Sequence, residues 1–439
     1  MKKVDILFLY ETKVRELENI CLIKNELENR GYTVGVQNTW NSLGIKRFPY
    51  KAKVVVTHGM YHDGIYEFVE SLVGDVPKVV NMQCEQVGTI KDESCSNSRF
   101  ILQGIAKQCM NICWGRKTFK RLIEKSGIDE NHLRETGHVT LDFCRKEFRS
   151  YYLSREDVCR KYNINGNLKL NLFISSFAYV NLPDQIKKNS DMIDKEKFIE
   201  ISKQSFDEVL GWFSKILKEF PQEVIIYRPH PAEADNKKLL ALTKEYENRF
   251  FVISDMSVKQ WIAIADSVYT WYSTSMAEAL MFGVPCGILR PVKSPQQMEI
   301  AVFENASFIE TYEDFKVTIQ EGVINNAVDK EVFSAYYTVD DEMSYMKVAN
   351  AIVDVLKNDD YLIRFKRSKK KQSLKDRCKE VAHAFLCFVK TCLPKKWKIL
   401  DKYKKPIVDE YTKQLQKKNY ASSQEILQIQ NRLKAYTKK

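Results

Sequence analysis

Residues 265–291 read ADSVYTWYSTSMAEALMFGVPCGILRP, and they contain the pattern that decides the fold. The short apolar run Ser267–Trp271 predicts a strand, and the segment after it, Ser273-Thr274-Ser275, carries three hydroxyl groups. Ser275–Phe282 predicts a helix, and Pro285–Leu289 predicts a second strand. A strand, a helix and another strand in this order indicate a βαβ unit in a parallel sheet.

The same alternation extends over most of the chain in two series, which a charged stretch at 145–168 separates. Apolar and β-branched runs predict the other strands: Val4–Tyr10, Thr33–Gln37, Lys53–Thr57, Lys78–Gln83, Met110–Trp114, Leu170–Ser175, Glu223–Tyr227 and Phe250–Ser254. Helical spacing of apolar residues predicts the other helices: Val14–Arg30, Ile65–Leu72, Lys195–Glu219, Lys237–Tyr246, Val258–Ala265 and Asp341–Lys357.

These elements predict an α/β fold with two Rossmann-like, doubly wound domains, at 1–165 and 166–360, that face each other across a cleft. The helix at Asp341–Lys357 is expected to close the second domain. A basic helical extension is predicted at 361–439. Ligands of such folds bind in the loops that follow the carboxyl ends of the strands, so the candidate site residues are sought there.

Two loops of the second domain have the chemistry of a phosphate site. In Arg228-Pro229-His230-Pro231 the prolines fix the loop, and Arg228 and His230 can donate hydrogen bonds to phosphate oxygens. Ser273, Thr274 and Ser275 start a helix, where hydroxyls and free N–H groups bind anions. The alternatives are a rigid turn and an ordinary helix cap.

Two further residues of the second domain are candidates for donor binding. Glu278 lies one turn into the predicted helix, where its carboxylate can accept hydrogen bonds from a ribose. Ser175 follows the first strand of the domain, and its hydroxyl can contact a phosphate. The alternatives are a capping carboxylate at Glu278 and a capping hydroxyl at Ser175.

Taken together, YRPHP at 227–231 and the stretch 265–291 resemble the C-terminal half of GT-B glycosyltransferases. The nearest in style are bacterial surface-polysaccharide enzymes, namely Kdo and sialic acid transferases, teichoic acid glycerophosphotransferases and surface carbohydrate biosynthesis proteins. The resemblance implies that His230, Ser273 and Thr274 bind the phosphate of a nucleotide-activated donor. It also implies that no metal or other cofactor takes part.

In such an enzyme the first domain binds the acceptor and provides a base, for which four residues compete. Glu85 lies in a loop that resembles the acidic-glycine loop of Kdo and sialic acid transferases, and it ranks first. His58 follows, because Thr57-His58-Gly59 resembles the Thr-His-Gly of glycerol-phosphate transferases. Asp63 and Glu11 rank behind them. The alternatives are an ion pair of Glu85 with Lys91, a buried core position for His58 and a solvated helix start for Glu11.

The net charge of +12 is concentrated in one segment. Residues 364–405 contain 16 Lys and Arg against 3 Asp and Glu, so the rest of the chain is nearly neutral and does not indicate nucleic-acid binding. Basic residues interleaved with aromatic ones predict an anchor on an anionic membrane surface, and a solvated tail is the alternative. Residues 407–439 are predicted to be helical and either to pack on the body or to form a homo-oligomer.

The function predicted from these features is transfer of a sugar from a CMP-, CDP- or UDP-linked donor. The acceptor is expected to be a lipid-linked or growing surface polysaccharide of the capsule, lipopolysaccharide or teichoic acid type. Eleven cysteines without paired or zinc-type spacing indicate a reducing compartment and no metal site. The expected location is cytoplasmic, at the inner face of the membrane. The alternatives are a non-hydrolysing nucleotide-sugar epimerase and a non-catalytic nucleotide-sugar-binding subunit.

Overall fold

The computed structural model describes residues 2–39, 50–95, 98, 100–181, 195–231, 233, 235–322, 327–365 and 417–437. Two six-stranded parallel sheets form its framework. The first sheet contains β1 (Lys2–Tyr10), β2 (Val34–Asn38), β3 (Tyr50–Thr57), β4 (Val79–Asn81), β5 (Met110–Cys113) and β6 (Leu133–Glu135). The second contains β7 (Lys169–Ile174), β8 (Glu223–Arg228), β9 (Phe250–Val252), β10 (Ser267–Thr270), β11 (Cys286–Leu289) and β12 (Phe308–Ile309).

Each sheet reverses its strand order at one point, and these points decide where ligands can bind. The first sheet has the order β2-β1-β3-β4-β5-β6, so the reversal lies between β1 and β3. The second has the order β12-β11-β10-β7-β8-β9, with the reversal between β7 and β10. A crevice forms beyond the carboxyl ends of the strands at such a reversal, and it is the usual ligand site of open α/β sheets.

Helices cover both faces of the two sheets. They are α1 (Lys13–Asn29), α2 (Asp63–Val73), α3 (Ile90–Ser94), α4 (Arg116–Glu124), α5 (Val139–Asp142), α6 (Arg155–Tyr162), α7 (Ala178–Asn181), α8 (Lys195–Glu219), α9 (Lys237–Glu245), α10 (Val258–Ile262), α11 (Met276–Phe282), α12 (Tyr312–Glu321), α13 (Lys330–Tyr336), α14 (Ser344–Lys357) and α15 (Ser423–Thr437). Each sheet has a buried apolar core on both of its faces, to which these helices contribute. The predicted α/β architecture of two doubly wound domains is confirmed.

Helix α14 packs against the first sheet and not the second. Its Val348 and Ile352 are buried in the same core as Ile6 and Phe8 of β1. The carboxylate of Asp142 fixes its start by accepting hydrogen bonds from the backbone N–H groups of the first two residues of α14, at 3.0 and 2.8 Å. The expectation that this helix closes the second domain is therefore wrong. An amphipathic helix can pack on either sheet, and its sequence pattern does not distinguish the two.

The end of the chain returns to the first domain. Helix α15 packs along α1, where Leu433 is fully buried. The side-chain amide of Asn25 donates to the backbone carbonyl of Gln430, and the side-chain amide of Gln430 donates to Oδ1 of Asn25. The described part of the predicted 407–439 region thus packs on the body, and self-association through it stays a prediction. Most of the basic segment at 364–405 lies outside the described residues. No helix in the described part of the chain is long and apolar enough to cross a membrane.

Candidate active site

A cavity of about 150 Å³ lies between the two domains, beyond the carboxyl ends of both sheets. Both domains contribute polar side chains to its wall. Those of the first domain include Arg15, Glu16, Asn19, His58, His138 and Thr140, and those of the second include Ser257, Lys259, Thr274, Ser275 and Glu278. The predicted cleft is therefore lined by residues from the loops that follow the strands.

His58 and Glu11 meet at the reversal point of the first sheet. Glu11 follows β1 and His58 follows β3, and the two strands pair so that Leu9 lies opposite Thr57. The Nε2 atom of His58 lies 3.7 Å from Oε2 of Glu11. Nδ1 of His58 is buried and has no hydrogen-bond partner among the described residues. The imidazole thus lines the cavity with a carboxylate beside it.

The loop that carries Glu11 is held by Glu16. Its buried carboxylate accepts hydrogen bonds from the backbone N–H groups of Thr12, at 2.7 Å, and Glu11, at 3.1 Å. Burial raises the pKa of Glu16. Because both of its oxygens are used by the backbone, Glu16 positions the loop at the start of α1.

Glu85 and Asp63 lie outside the cavity wall. Glu85 forms an ion pair with Arg15 at 2.7 Å, and both side chains are about half exposed. Its partner is therefore Arg15 and not Lys91. Asp63 is exposed at the start of α2, where Oδ1 accepts a hydrogen bond from the backbone N–H of Ile105 at 2.7 Å. Of the four candidate bases, the structure brings His58 and Glu11 together at the cavity.

Arg228 organises the neighbouring loop of the second domain. Its buried guanidinium donates to the backbone carbonyls of Asp255, at 2.7 Å, and Met256. Burial lowers its pKa to about 10. The carbonyls belong to the turn immediately before Ser257, which lines the cavity. The position of Arg228 is thus set by backbone contacts, and its predicted contact with phosphate stays a prediction.

A buried carboxylate fixes the His-Pro loop. Glu233 accepts hydrogen bonds from the hydroxyls of Tyr227 and Ser175, both at 2.6 Å, and from the backbone N–H of His230 at 3.1 Å. Ser175 is only 2% exposed and its hydroxyl is used within this network, which favours the capping alternative at that position. His230 lies at the mouth of the cleft, where desolvation by the surrounding protein and the charge of Arg15 lower its pKa.

Three of the predicted donor-binding residues line the cavity. Two of them, Thr274 and Ser275, lie in the loop after β10. In the same loop, Oγ of Ser273 accepts a hydrogen bond from the backbone N–H of Ser275 at 3.3 Å. Glu278 also lines the cavity, and burial raises its pKa to about 6. The loop that follows β10 therefore lines the cavity, whereas the described residues of the loop that follows β8 are not part of its wall.

Sequence reasoning assigned no role to Lys259 or to the aromatic wall. His138 stacks on Trp114 with ring centroids 3.8 Å apart, and Tyr337 adds a third ring to the cavity wall. Burial lowers the pKa of His138 to about 3, so its imidazole is neutral at pH 7. Lys259 lies in a predicted helix and gave no signal.

The paired sheets and the cleft between them define the GT-B class of fold. Two structures of the wall teichoic acid polymerase TagF are similar to this chain at 12% identity, covering 80% of it and 89% of TagF. Their TM-scores are 0.51 for the H444N variant and 0.50 for the same variant soaked with CDPG. A UDP-GlcNAc 2-epimerase from Neisseria meningitidis bound to UDP-GlcNAc is 10% identical, with a TM-score of 0.48 and coverage of 81% and 100%. No protein-family model and no curated protein matches the chain.

The similarity to the two TagF structures confirms the expected GT-B architecture. Among the described residues, no group of three or more His, Cys, Asp or Glu side chains could hold a metal ion. The expectation that the protein needs no metal or cofactor stays a prediction.

Proposed function

We propose that this chain is a glycosyltransferase that moves a sugar from a CMP-, CDP- or UDP-linked donor to a lipid-linked or growing surface polysaccharide. One observation carries the proposal. A single cavity joins an imidazole with an adjacent carboxylate, His58 and Glu11, to the hydroxyls of Thr274 and Ser275 and the carboxylate of Glu278 on the facing domain.

In the proposed reaction His58 takes the proton of an acceptor hydroxyl as the acceptor oxygen bonds to the anomeric carbon of the donor sugar. The bond from that carbon to the donor phosphate breaks, and the nucleotide leaves with the electron pair. Glu11, 3.7 Å from Nε2, stabilises the imidazolium that forms.

The second domain is suited to hold the donor. The hydroxyls of Thr274 and Ser275, which line the cavity, can donate to phosphate oxygens. His230 is near enough to the lining residue Arg15 for that charge to lower its pKa, and it is the third proposed phosphate contact. Glu278 can accept hydrogen bonds from a ribose when it is ionised. TagF, which shares the fold, was soaked with CDPG, so cytidine compounds belong in any test.

The proposed acceptor explains the basic segment. Its 16 basic residues between 364 and 405 would attract the chain to anionic lipid, where a lipid-linked glycan is found. Co-sedimentation of the full chain with vesicles of phosphatidylglycerol is expected, and it should disappear at high salt or with phosphatidylcholine alone. Equal binding to both vesicle types would contradict this part of the proposal.

The donor proposal is tested by thermal shift and by product analysis. The full chain is incubated with CMP-, CDP- and UDP-sugars and with CDPG, with and without a glycan acceptor. Stabilisation by one nucleotide, with release of that nucleotide when the acceptor is present, is expected. An isomerised sugar nucleotide formed without acceptor would replace the proposal with the epimerase. If none of the compounds stabilises the chain, the proposal of a nucleotide-linked donor is contradicted.

A further inference from the structure

Lys259 crosses from the second domain to the first. It is the second residue of α10, and its Nζ lies 3.1 Å from Oε2 of Glu18 on α1 and 4.5 Å from the ring centroid of Phe143. The residue is only 3% exposed. A buried ammonium group is unfavourable without a counter-ion, so Glu18 stabilises the charge across the domain interface.

The same side chain lines the cavity. The hydroxyl residues Ser257, Thr274 and Ser275 line it as well, so one cation and three hydroxyls surround a common space. Burial raises the pKa of Glu278 and lowers that of His138; the charge of Lys259 opposes the first shift and adds to the second, so Lys259 lies within electrostatic reach of both groups. An ammonium group with neighbouring hydroxyls is a suitable donor set for phosphate oxygens.

Glu18 is not part of the cavity wall. Its Oε1 accepts a hydrogen bond from the hydroxyl of Tyr151 at 2.8 Å, so the carboxylate keeps a second partner when the ion pair is broken. Its side chain also retains access to solvent. Its Oε2, the atom that faces Lys259, is buried and accepts no hydrogen bond from the described residues, so Tyr151 is the partner that remains with the carboxylate when Lys259 turns to a ligand.

We propose that Lys259 binds a phosphate group of the nucleotide donor, and that Glu18 is its counter-ion only while the cavity is empty. This inference rests on the proposed function and names the residue that recognises the donor's charge. An entering phosphate brings negative charge directly into the cavity, so it exchanges for the carboxylate across the interface. Donor binding then replaces an ion pair between the domains with one to the ligand.

The exchange predicts opposite effects for the two halves of the ion pair. Lys259→Met is expected to weaken binding of CDP or UDP on the order of tenfold to a hundredfold, and to leave cytidine or uridine binding unchanged. Glu18→Gln removes the competing carboxylate and is expected to tighten binding of the same diphosphate. Lys316→Met, which breaks the ion pair with Glu219 on the second domain, is the matched control and should change neither.

A purely structural ion pair would give a different result, because both variants would then weaken binding together. The proposal is overturned if Lys259→Met and Glu18→Gln weaken diphosphate binding equally. It is also overturned if Lys259→Met weakens nucleoside binding as much as diphosphate binding. If Lys259→Met does not fold, the Lys259→Met/Glu18→Gln double variant, which leaves no buried charge unpaired, carries the same prediction. A chain that binds diphosphates unchanged in the double variant overturns only this inference. An unmodified chain that binds no nucleotide removes the proposed function as well.

Discussion

The imidazole of His58 and the carboxylate of Glu11 approach to 3.7 Å where the strand order of the first sheet reverses. They are brought together because β1 and β3 are neighbours although β2 lies between them in the sequence. The second sheet has the same arrangement, in which Ser175 follows β7 and the Ser273–Ser275 loop begins beyond β10. The cavity therefore lies between the two crevices, and each domain contributes part of its wall.

His58→Asn is expected to lower the transfer rate by about 10² to 10⁴, because a positioned general base contributes that much. The affinity for the nucleotide donor should not change, since His58 belongs to the opposite domain. Turnover and donor binding measured on the same preparation check the prediction.

The control for this variant is His62→Asn. His62 is exposed, and its Nδ1 accepts a hydrogen bond from the backbone N–H of Gly64 as the cap of α2, a role that asparagine can also fill. An equal loss of activity in His62→Asn, or loss of donor binding in His58→Asn, would contradict the assignment of His58 as the base.

The raised pKa of Glu278 predicts a pH dependence of stability. Its pKa is about 6 in the folded protein and 4.5 in the unfolded chain, so the folded state holds the proton more tightly. Stability contributed by this group is therefore present below pH 4.5 and is lost as the pH rises to about 6. Glu278→Gln should be more stable than the unmodified chain at pH 8, by up to about 2 kcal/mol.

Urea unfolding at pH 4.5, 6 and 8 measures this difference. Glu313→Gln, on the exposed side of α12, is the control and should show no pH-dependent difference from the unmodified chain. If Glu278→Gln is less stable than the unmodified chain at pH 8, burial does not raise the pKa of this carboxyl group. Glu278→Gln is also expected to weaken donor binding at pH 8, because the amide replaces an acceptor for the ribose.

Long strands and helices could be predicted because their patterns extend over several residues, as in β1 and α1. Strands β6 and β12 could not, since Leu133–Glu135 and Phe308–Ile309 are too short to form a pattern. Their place in the sheets is determined by pairing with β5 and β11, and this pairing leaves no pattern in the local sequence.

The candidate base illustrates the same limit. Glu85 ranked first because its loop resembles the acidic-glycine loop of Kdo and sialic acid transferases, but its pairing with Arg15 depends on tertiary structure. His58 and Glu11 could each be named from the sequence, but their proximity follows from the strand order. In the sequence nothing distinguishes Lys259 from other lysines at helix starts. Its ion pair with Glu18 of the other domain depends on the tertiary structure.

The C-terminal segment contributes a charge to the mouth of the cleft. Nζ of Lys418 donates to the carbonyl of Pro231 at 2.5 Å, and Asn419 accepts a hydrogen bond from the backbone N–H of Lys13. The charge of Lys418 lowers the pKa of His230. Lys418→Ala is expected to weaken nucleotide binding roughly two- to fivefold at low salt and not at high salt, because exposed charges are screened.

Lys417→Ala is the matched control for this prediction, since it removes the neighbouring exposed charge. Titrations of CDP or UDP at two salt concentrations compare the two variants. The same loss in both would show that general charge, and not the position of Lys418, is responsible.

Helix α15 is expected to contribute to the stability of the first domain. Leu433 is fully buried against α1, so Leu433→Ala should cost about 2–5 kcal/mol of unfolding free energy. Leu427 in the same helix is 53% exposed, and Leu427→Ala should change stability by less than about 0.5 kcal/mol. Urea unfolding distinguishes them. Equal, small effects would mean that α15 does not pack on α1 in solution.

Mass spectrometry of a reaction that contains the full chain, a nucleotide sugar and a glycan acceptor tests the proposed sugar transfer. We expect free nucleotide together with an acceptor heavier by one sugar, and a rate of formation of both products that is about 10² to 10⁴ lower with His58→Asn. An unchanged acceptor accompanied by an isomerised nucleotide sugar would contradict the proposed transfer.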